Sequence, residues 1–182
     1  MRPQSVQVVA VLGAECTGKS TLSQALGRAL PAYVVPEYLR HWCLDKGRPP
    51  TAPEQGDILQ GQRLWLQRAL HEADRLGLNW VVCDCAPLLT AAYSIEYFDD
   101  DSLLAQSLEA HRGYHHTLLT SPAIDWRPDG FLRDGESMRQ RVDARLRALL
   151  AAHTIACTAV EGSPQAREKM ALEALMPSGP RV

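Results

Sequence analysis

The residue types best suited to chemistry stand in one stretch, Gly13 to Ser20, which reads GAECTGKS. A glycine, four residues, then glycine, lysine and serine is the spacing at which backbone N–H groups can wrap a phosphate. Gly13 and Gly18 supply the conformational freedom. Lys19 can reach the β- and γ-phosphates as a point charge, and the Ser20 hydroxyl is placed to ligate a Mg²⁺ bridging the same oxygens. Gly13, Ala14, Glu15, Cys16, Thr17, Gly18, Lys19 and Ser20, with Thr21 behind them, are therefore the expected contacts of ATP with Mg²⁺. Cys16 reads as inert filler. A glycine turn with no ligand is the competing reading, and the flanking elements weigh against it.

Those elements must place the loop between a strand and a helix. Residues 7–12, QVVAVL, read as a buried strand, and residues 20–30 carry Leu22, Ala25, Leu26, Ala29 and Leu30 on one helical face. A phosphate group would meet the positive end of that helix.

Two carboxylates stand at the ends of further strands. The short run 32–35 delivers Glu37 to the ligand side of a parallel sheet, and the apolar run 78–83 delivers Asp84. Glu37 can accept a proton from a substrate hydroxyl, or simply cap the next helix. Asp84 can hold Mg²⁺ or water, act as a base, or bind ribose hydroxyls. The base is assigned to Glu37 and the metal side to Asp84. Arg133 and Arg139, in or beside a Pro-, Gly- and Asp-rich stretch at 121–136 that reads as a mobile lid, can stabilise charge on a transferring phosphoryl group. Of the aromatics near this edge, Tyr38, Trp42, Tyr93, Tyr97 and Trp126, the preferred stacking pair is Trp42 with Trp126. His111, His115 and His116 lack a partnering ligand set and read as structural.

The remaining periodicities complete the alternation. A helix over 38–45 is closed by Gly47, and a capping box at 51–54 opens a helix with Ile58, Trp65, Leu66, Ala69, Leu70, Ala73 and Leu76 on its apolar face. Helices follow over 87–97 and 102–111, with Asp99, Asp100 and Asp101 as a break or cap between them. A strand over 116–120 and a helix over 137–152 come next, the helix having Val142, Leu146, Leu149 and Leu150 inward and Arg139, Arg141, Arg145 and Arg147 elsewhere. A strand over 154–160 and a last helix over 165–175, opened by Ser163 and Pro164, end the pattern. This predicts an α/β fold with a parallel sheet of about five strands and helices on both faces.

Composition narrows the partners. The chain has 182 residues, 46% of them hydrophobic, which suits a single domain over 1–182. A formal charge of −2 gives no general attraction to nucleic acid or an anionic membrane. Five cysteines without metal-type pairing suggest a reduced, cytoplasmic setting. Neither a membrane span nor a signal peptide is legible. The expected partner is a small molecule.

With these residues in place, the chain resembles the ribosylnicotinamide kinase domain of NadR-type NAD biosynthesis proteins, within a wider group of small P-loop NTPase-like domains. The similarity lies in GAECTGKSTL, PEYLR at 36–40, GQ at 61–62, VVCDCAPLLT, and Tyr114 followed by LLTSPAIDW, DG and Arg133. CDC departs from the family's acidic–threonine–acidic segment, and His115 stands where the family has aspartate. The resemblance implies transfer of the γ-phosphoryl of ATP to the 5′-hydroxyl of a nucleoside-like acceptor, first of all ribosylnicotinamide. It also implies that this chain, with no HxGH-like motif, carries the kinase step alone. A P-loop ATPase acting as a switch on a partner, or a kinase for another hydroxylated metabolite, are the alternatives.

Overall fold

The computed structural model describes residues 6–122 and 135–176. Five parallel strands form one sheet in the order β2-β3-β1-β4-β5. The strands are β1 (Gln7–Leu12), β2 (Ala32–Val35), β3 (Trp80–Asp84), β4 (His116–Thr120) and β5 (Thr158–Val160). Between and after them run α1 (Lys19–Ala29), α2 (Tyr38–Lys46), α3 (Gln55–Leu76), α4 (Pro87–Phe98), α5 (Leu104–His111), α6 (Glu136–Ala152) and α7 (Pro164–Leu175).

β1 is central, which is why its sequence after Gln7 is apolar without a break rather than alternating with polar residues. Its side chains still separate by face. Val9 and Val11 pack with Leu22 and Leu26 of α1 and Ala171 and Leu175 of α7. Ala10 and Leu12 pack on the opposite side with Leu88 and Leu89 of α4 and Leu146 and Leu150 of α6, while Val8 meets Ala69 and Ala73 of α3. Leu26 and Leu146 are fully buried, so truncating either to alanine would cost about 2–5 kcal/mol.

Local chemistry sets most boundaries. The capping box closes as expected: Thr51 N–H and hydroxyl each donate to Glu54, at 2.8 and 2.7 Å. Ser163 caps α7 by accepting from Ala166 N–H at 3.2 Å. Asp99 ends α4 in the left-handed conformation, φ 52°, and the Asp100 carboxylate accepts from Ser102 N–H at 2.9 Å.

Three expectations fail. The last strand does not begin at 154, because Thr154 (φ 54°) and Ile155, whose N–H donates to Leu150 at 2.9 Å, are consumed in terminating α6. Leu76, at the last position of α3, is 53% exposed rather than part of the buried face. Arg139 does not share the outward face of Arg141 and Arg145, which pair with Glu96 of α4 at 3.0 and 2.6 Å; it is 4% exposed and points inward.

Candidate active site

The phosphate loop leaves the end of β1 and is held by distant parts of the chain. Gly13 has φ 147°, and a Cβ there would lie 2.1 Å from the Thr120 hydroxyl, so the end of β4 presses directly on the loop. The Thr120 hydroxyl lies 3.0 Å from the Leu12 carbonyl and 2.7 Å from the Thr17 hydroxyl, two acceptors for its one proton. Thr17 donates in turn to the Ala14 carbonyl at 2.8 Å, and Lys19 Nζ donates to the same carbonyl at 2.9 Å. Gly18, φ 85°, turns the chain into α1.

Two buried arginines approach the loop from below. Arg139 of α6 donates from Nη1 to the Cys16 carbonyl at 3.4 Å and pairs with Glu136 at 2.7 Å. Arg167 of α7, 3% exposed, donates from Nη1 to the Thr17 carbonyl and from Nε to the Gly162 carbonyl at 2.9 Å. Arg167 carries no motif and was invisible in the sequence.

The segment bearing Glu37 is held by α3. Gln62 Oε1 accepts from Tyr38 N–H at 2.8 Å, and its Nε2 donates to the Pro36 carbonyl at 3.5 Å, so one side chain straddles Glu37. Gly61 has no room for a side chain: a Cβ would sit 2.1 Å from the Tyr38 ring. Together the two residues fix the turn at the end of β2.

These elements enclose a cavity of about 480 Å³, within the range of small-molecule sites. Residues 15–21 of the phosphate loop form one end, and Tyr93, Tyr97 and Phe98 of α4 form an aromatic wall. Leu39, Arg40, Cys43, Pro49, Pro50 and Gln55 line the rest, together with Glu37. Burial pushes the Glu37 carboxyl above its ordinary range; Lys19 and Arg40 pull it down, while Asp84 and Glu15 push it further up. Burial, reinforced by Glu37, also pushes the Tyr93 hydroxyl well up, so it stays neutral.

Asp84 ends β3, opposite Val11 of β1, and is 6% exposed. Its Oδ1 is buried with no hydrogen-bond partner among the described residues. Cys83 and Cys85 beside it are buried, and burial pushes the Cys83 thiol up to about 12, so neither position replaces an acid functionally as a charge.

The cavity thus gathers Glu15, Cys16, Thr17, Gly18, Lys19, Ser20, Thr21 and Glu37, with Asp84 close beneath. Gly13 and Ala14 lie under the loop surface and do not line it. Tyr38 and Trp42 do not line it either. Tyr38 packs edge-on against Trp65 at 5.0 Å, and Trp42 is buried with Ile58 and Cys43 beneath the Arg48 guanidinium, 5.2 Å from its ring. A helix begun at Tyr38 turns both rings toward α3 rather than the cavity. Arg133 and Trp126, and most of the expected lid, fall outside the described residues. His111 bonds Thr117 at 2.9 Å and His115 Nδ1 accepts from Val8 N–H at 3.0 Å, which fits the structural reading of the histidines.

The fold is that of several solved nucleotide-binding proteins. A crystal structure of NadR protein in complex with NR superposes with a TM-score of 0.82 at 20% identity, covering 100% of this chain and 53% of that one. NadR protein in complex with NAD and AMP-PNP gives 0.76 at 18%, covering 95% and 49%. Thymidylate kinase from Ehrlichia chaffeensis gives 0.68 at 14%, covering 94% and 99%. The chain spans about half the length of the NadR chains it matches. A search of curated proteins finds no sequence match. The family described as AAA domain matches residues 8–167, from the second residue of β1 to the arginine that holds the phosphate loop, and the chain belongs to that family.

Proposed function

We propose that the protein is an ATP-dependent small-molecule kinase that phosphorylates the 5′-hydroxyl of ribosylnicotinamide to give nicotinamide mononucleotide. The observation that carries this reading is Glu37, a carboxylate that lines one cavity together with the phosphate loop and the aromatic residues of α4, with Lys19 near enough to act on its charge. An acceptor in the cavity would present its hydroxyl to Glu37 on the side facing the transferable phosphoryl group. The hydroxyl proton passes to Glu37, the new O–P bond forms, the bridging P–O bond breaks and ADP leaves. Lys19 and the loop N–H groups bind the phosphates.

The choice of acceptor rests on charge and shape. Glu15 and Glu37 line the cavity with Asp84 near Glu37, offset by Lys19 and Arg40, and a pyridinium ring, flat and cationic, suits stacking on Tyr93 and Tyr97. The NadR structure in complex with NR, nicotinamide riboside, supports the same choice by likeness of fold. The orphaned Asp84 Oδ1 and the Ser20 hydroxyl fit Mg²⁺, which takes few protein ligands and keeps its waters. Among the described residues no three His, Cys, Asp or Glu side chains converge on a metal site of another kind. Bound there, Mg²⁺ would neutralise phosphate charge. Arg133 completes the proposal as a lid arginine, the whole acting as one domain over 1–182. None of the five cysteines forms a disulfide, and no helix among the described residues is long and apolar enough to cross a membrane.

The test is ADP release from Mg·ATP with and without ribosylnicotinamide. Release that depends on the acceptor, with nicotinamide mononucleotide formed and both lost in Lys19→Ala, is the expected result. Release at the same rate whatever the acceptor would replace the kinase reading with an ATPase.

A further inference from the structure

α3 carries two buried glutamines seven residues apart, hence on one face, and they differ in a way that points to a ligand. Gln62 spends its amide on Tyr38 and Pro36. Gln55 is 4% exposed, lines the cavity, and its side-chain amide hydrogen-bonds to no other residue among those described. The amide opens onto the cavity, so its donor and its acceptor are free to pair with a group that a ligand brings.

The surroundings fix the backbone that carries that amide. Gln55 opens α3 directly after the Thr51–Glu54 capping box, and its own N–H donates to Ala52. Arg48 forks onto Glu54 at 2.8 and 2.7 Å, and its guanidinium lies over Trp42. The segment from 48 to 55 is therefore pinned at both ends, and Gln55 shares its part of the lining with Leu39, Cys43, Pro49 and Pro50 and with the Arg40 cation. Gln55 is the neutral group there that both donates and accepts, and it selects a flat group carrying the complementary pair.

Resting on the kinase reading above, we propose that Gln55 determines acceptor specificity by pairing with an amide on the acceptor ring. Its Nε2 donates to the ring amide's carbonyl, and its Oε1 accepts from that amide's N–H. A carboxylate in the same place has no N–H to offer Oε1 and sets an oxygen lone pair against it instead. The chemistry is shared by a pyridinium carboxamide riboside and by a pyrimidine nucleoside such as cytidine.

The experiment compares kcat/KM for ribosylnicotinamide, its 3-carboxylate counterpart, the unsubstituted pyridinium riboside and cytidine, in wild type, Gln55→Leu and Gln55→Glu. ATP affinity by calorimetry verifies that each variant is folded. The expected wild-type preference for an amide-bearing acceptor over the carboxylate is about 100-fold, falling to within about threefold in both variants, chiefly through KM. A Gln55-dependent preference for cytidine supports the amide-reading role and overturns ribosylnicotinamide as the acceptor. Turnover with the wild-type preference kept in both variants overturns the role of Gln55 and leaves the kinase reading standing. No turnover of any nucleoside by wild type overturns both.

Discussion

Arg167 of α7 donates to the main-chain carbonyl of Thr17, joining the phosphate loop to a helix 150 residues away in sequence. The loop's shape is therefore set by tertiary structure as much as by its own glycines. In Arg167→Met the Thr17 and Gly162 carbonyls lose a buried donor. We expect the affinity for ATP to fall about tenfold, with a stability loss of about 2–4 kcal/mol, and Arg167→Lys to restore part of each. Denaturant unfolding and nucleotide titration measure the two effects. ATP affinity equal to wild type in a destabilised Arg167→Met would mean that the bond holds the fold and not the loop.

Glu37 and Asp84 lie close enough to influence each other, yet their substitutions should separate. Glu37→Gln removes the proton acceptor, and turnover should fall by about 10²- to 10⁴-fold with the Mg²⁺ requirement unchanged. Asp84→Asn removes charge from the proposed metal side, and the Mg²⁺ concentration for half-maximal rate should rise. Rates measured across a Mg²⁺ titration decide it; the opposite pattern would exchange the roles.

Because burial raises the Glu37 pKa, its acidic limb in the kcat/KM profile should lie above the ordinary 4.5, and activity should fall as pH drops through that raised value. Stability runs the other way. A raised carboxyl pKa contributes stability below its unfolded value that is lost as pH rises through the folded one. Glu37→Gln should therefore abolish the acidic limb and be more stable than wild type at neutral pH, the difference shrinking toward pH 4. Thermal melts and a pH–rate series on the same preparations test both signs.

Gly61→Ala tests how the Glu37 turn is held. Alanine favours a helix interior by about 1 kcal/mol, but the added carbon meets the Tyr38 ring, which Trp65 confines. The clash should win, with a net loss of about 1–3 kcal/mol and a rise in acceptor KM as α2 shifts. A melting temperature at or above wild type would show that Tyr38 yields freely.

Much of the architecture was legible because it is written locally. The 13–20 spacing, the two periodicities and the cap residues located β1, β2 and β4 residue for residue, and they placed Glu37 and Asp84 at strand ends. The pair Gly61 and Gln62 stood out only through resemblance; the structure gives the reason, since one admits the Tyr38 ring and the other straddles Glu37.

What tertiary structure alone decided are contacts between segments far apart, which leave no periodic trace. Strand order is one of them: β3 lies between β1 and β2, and this sets Asp84 nearer the phosphate loop's own strand than Glu37. Helix rotation chose which aromatics face the cavity, turning Trp42 into the core and leaving Tyr93 and Tyr97 at the wall. Thr120, Arg139 and Arg167 converge on the loop from three later elements, and Gln55 reaches the cavity from the first turn of α3. A single arginine or glutamine in a helix looks like a solvated residue in sequence; burial makes it something else, and burial is a property of the packed chain.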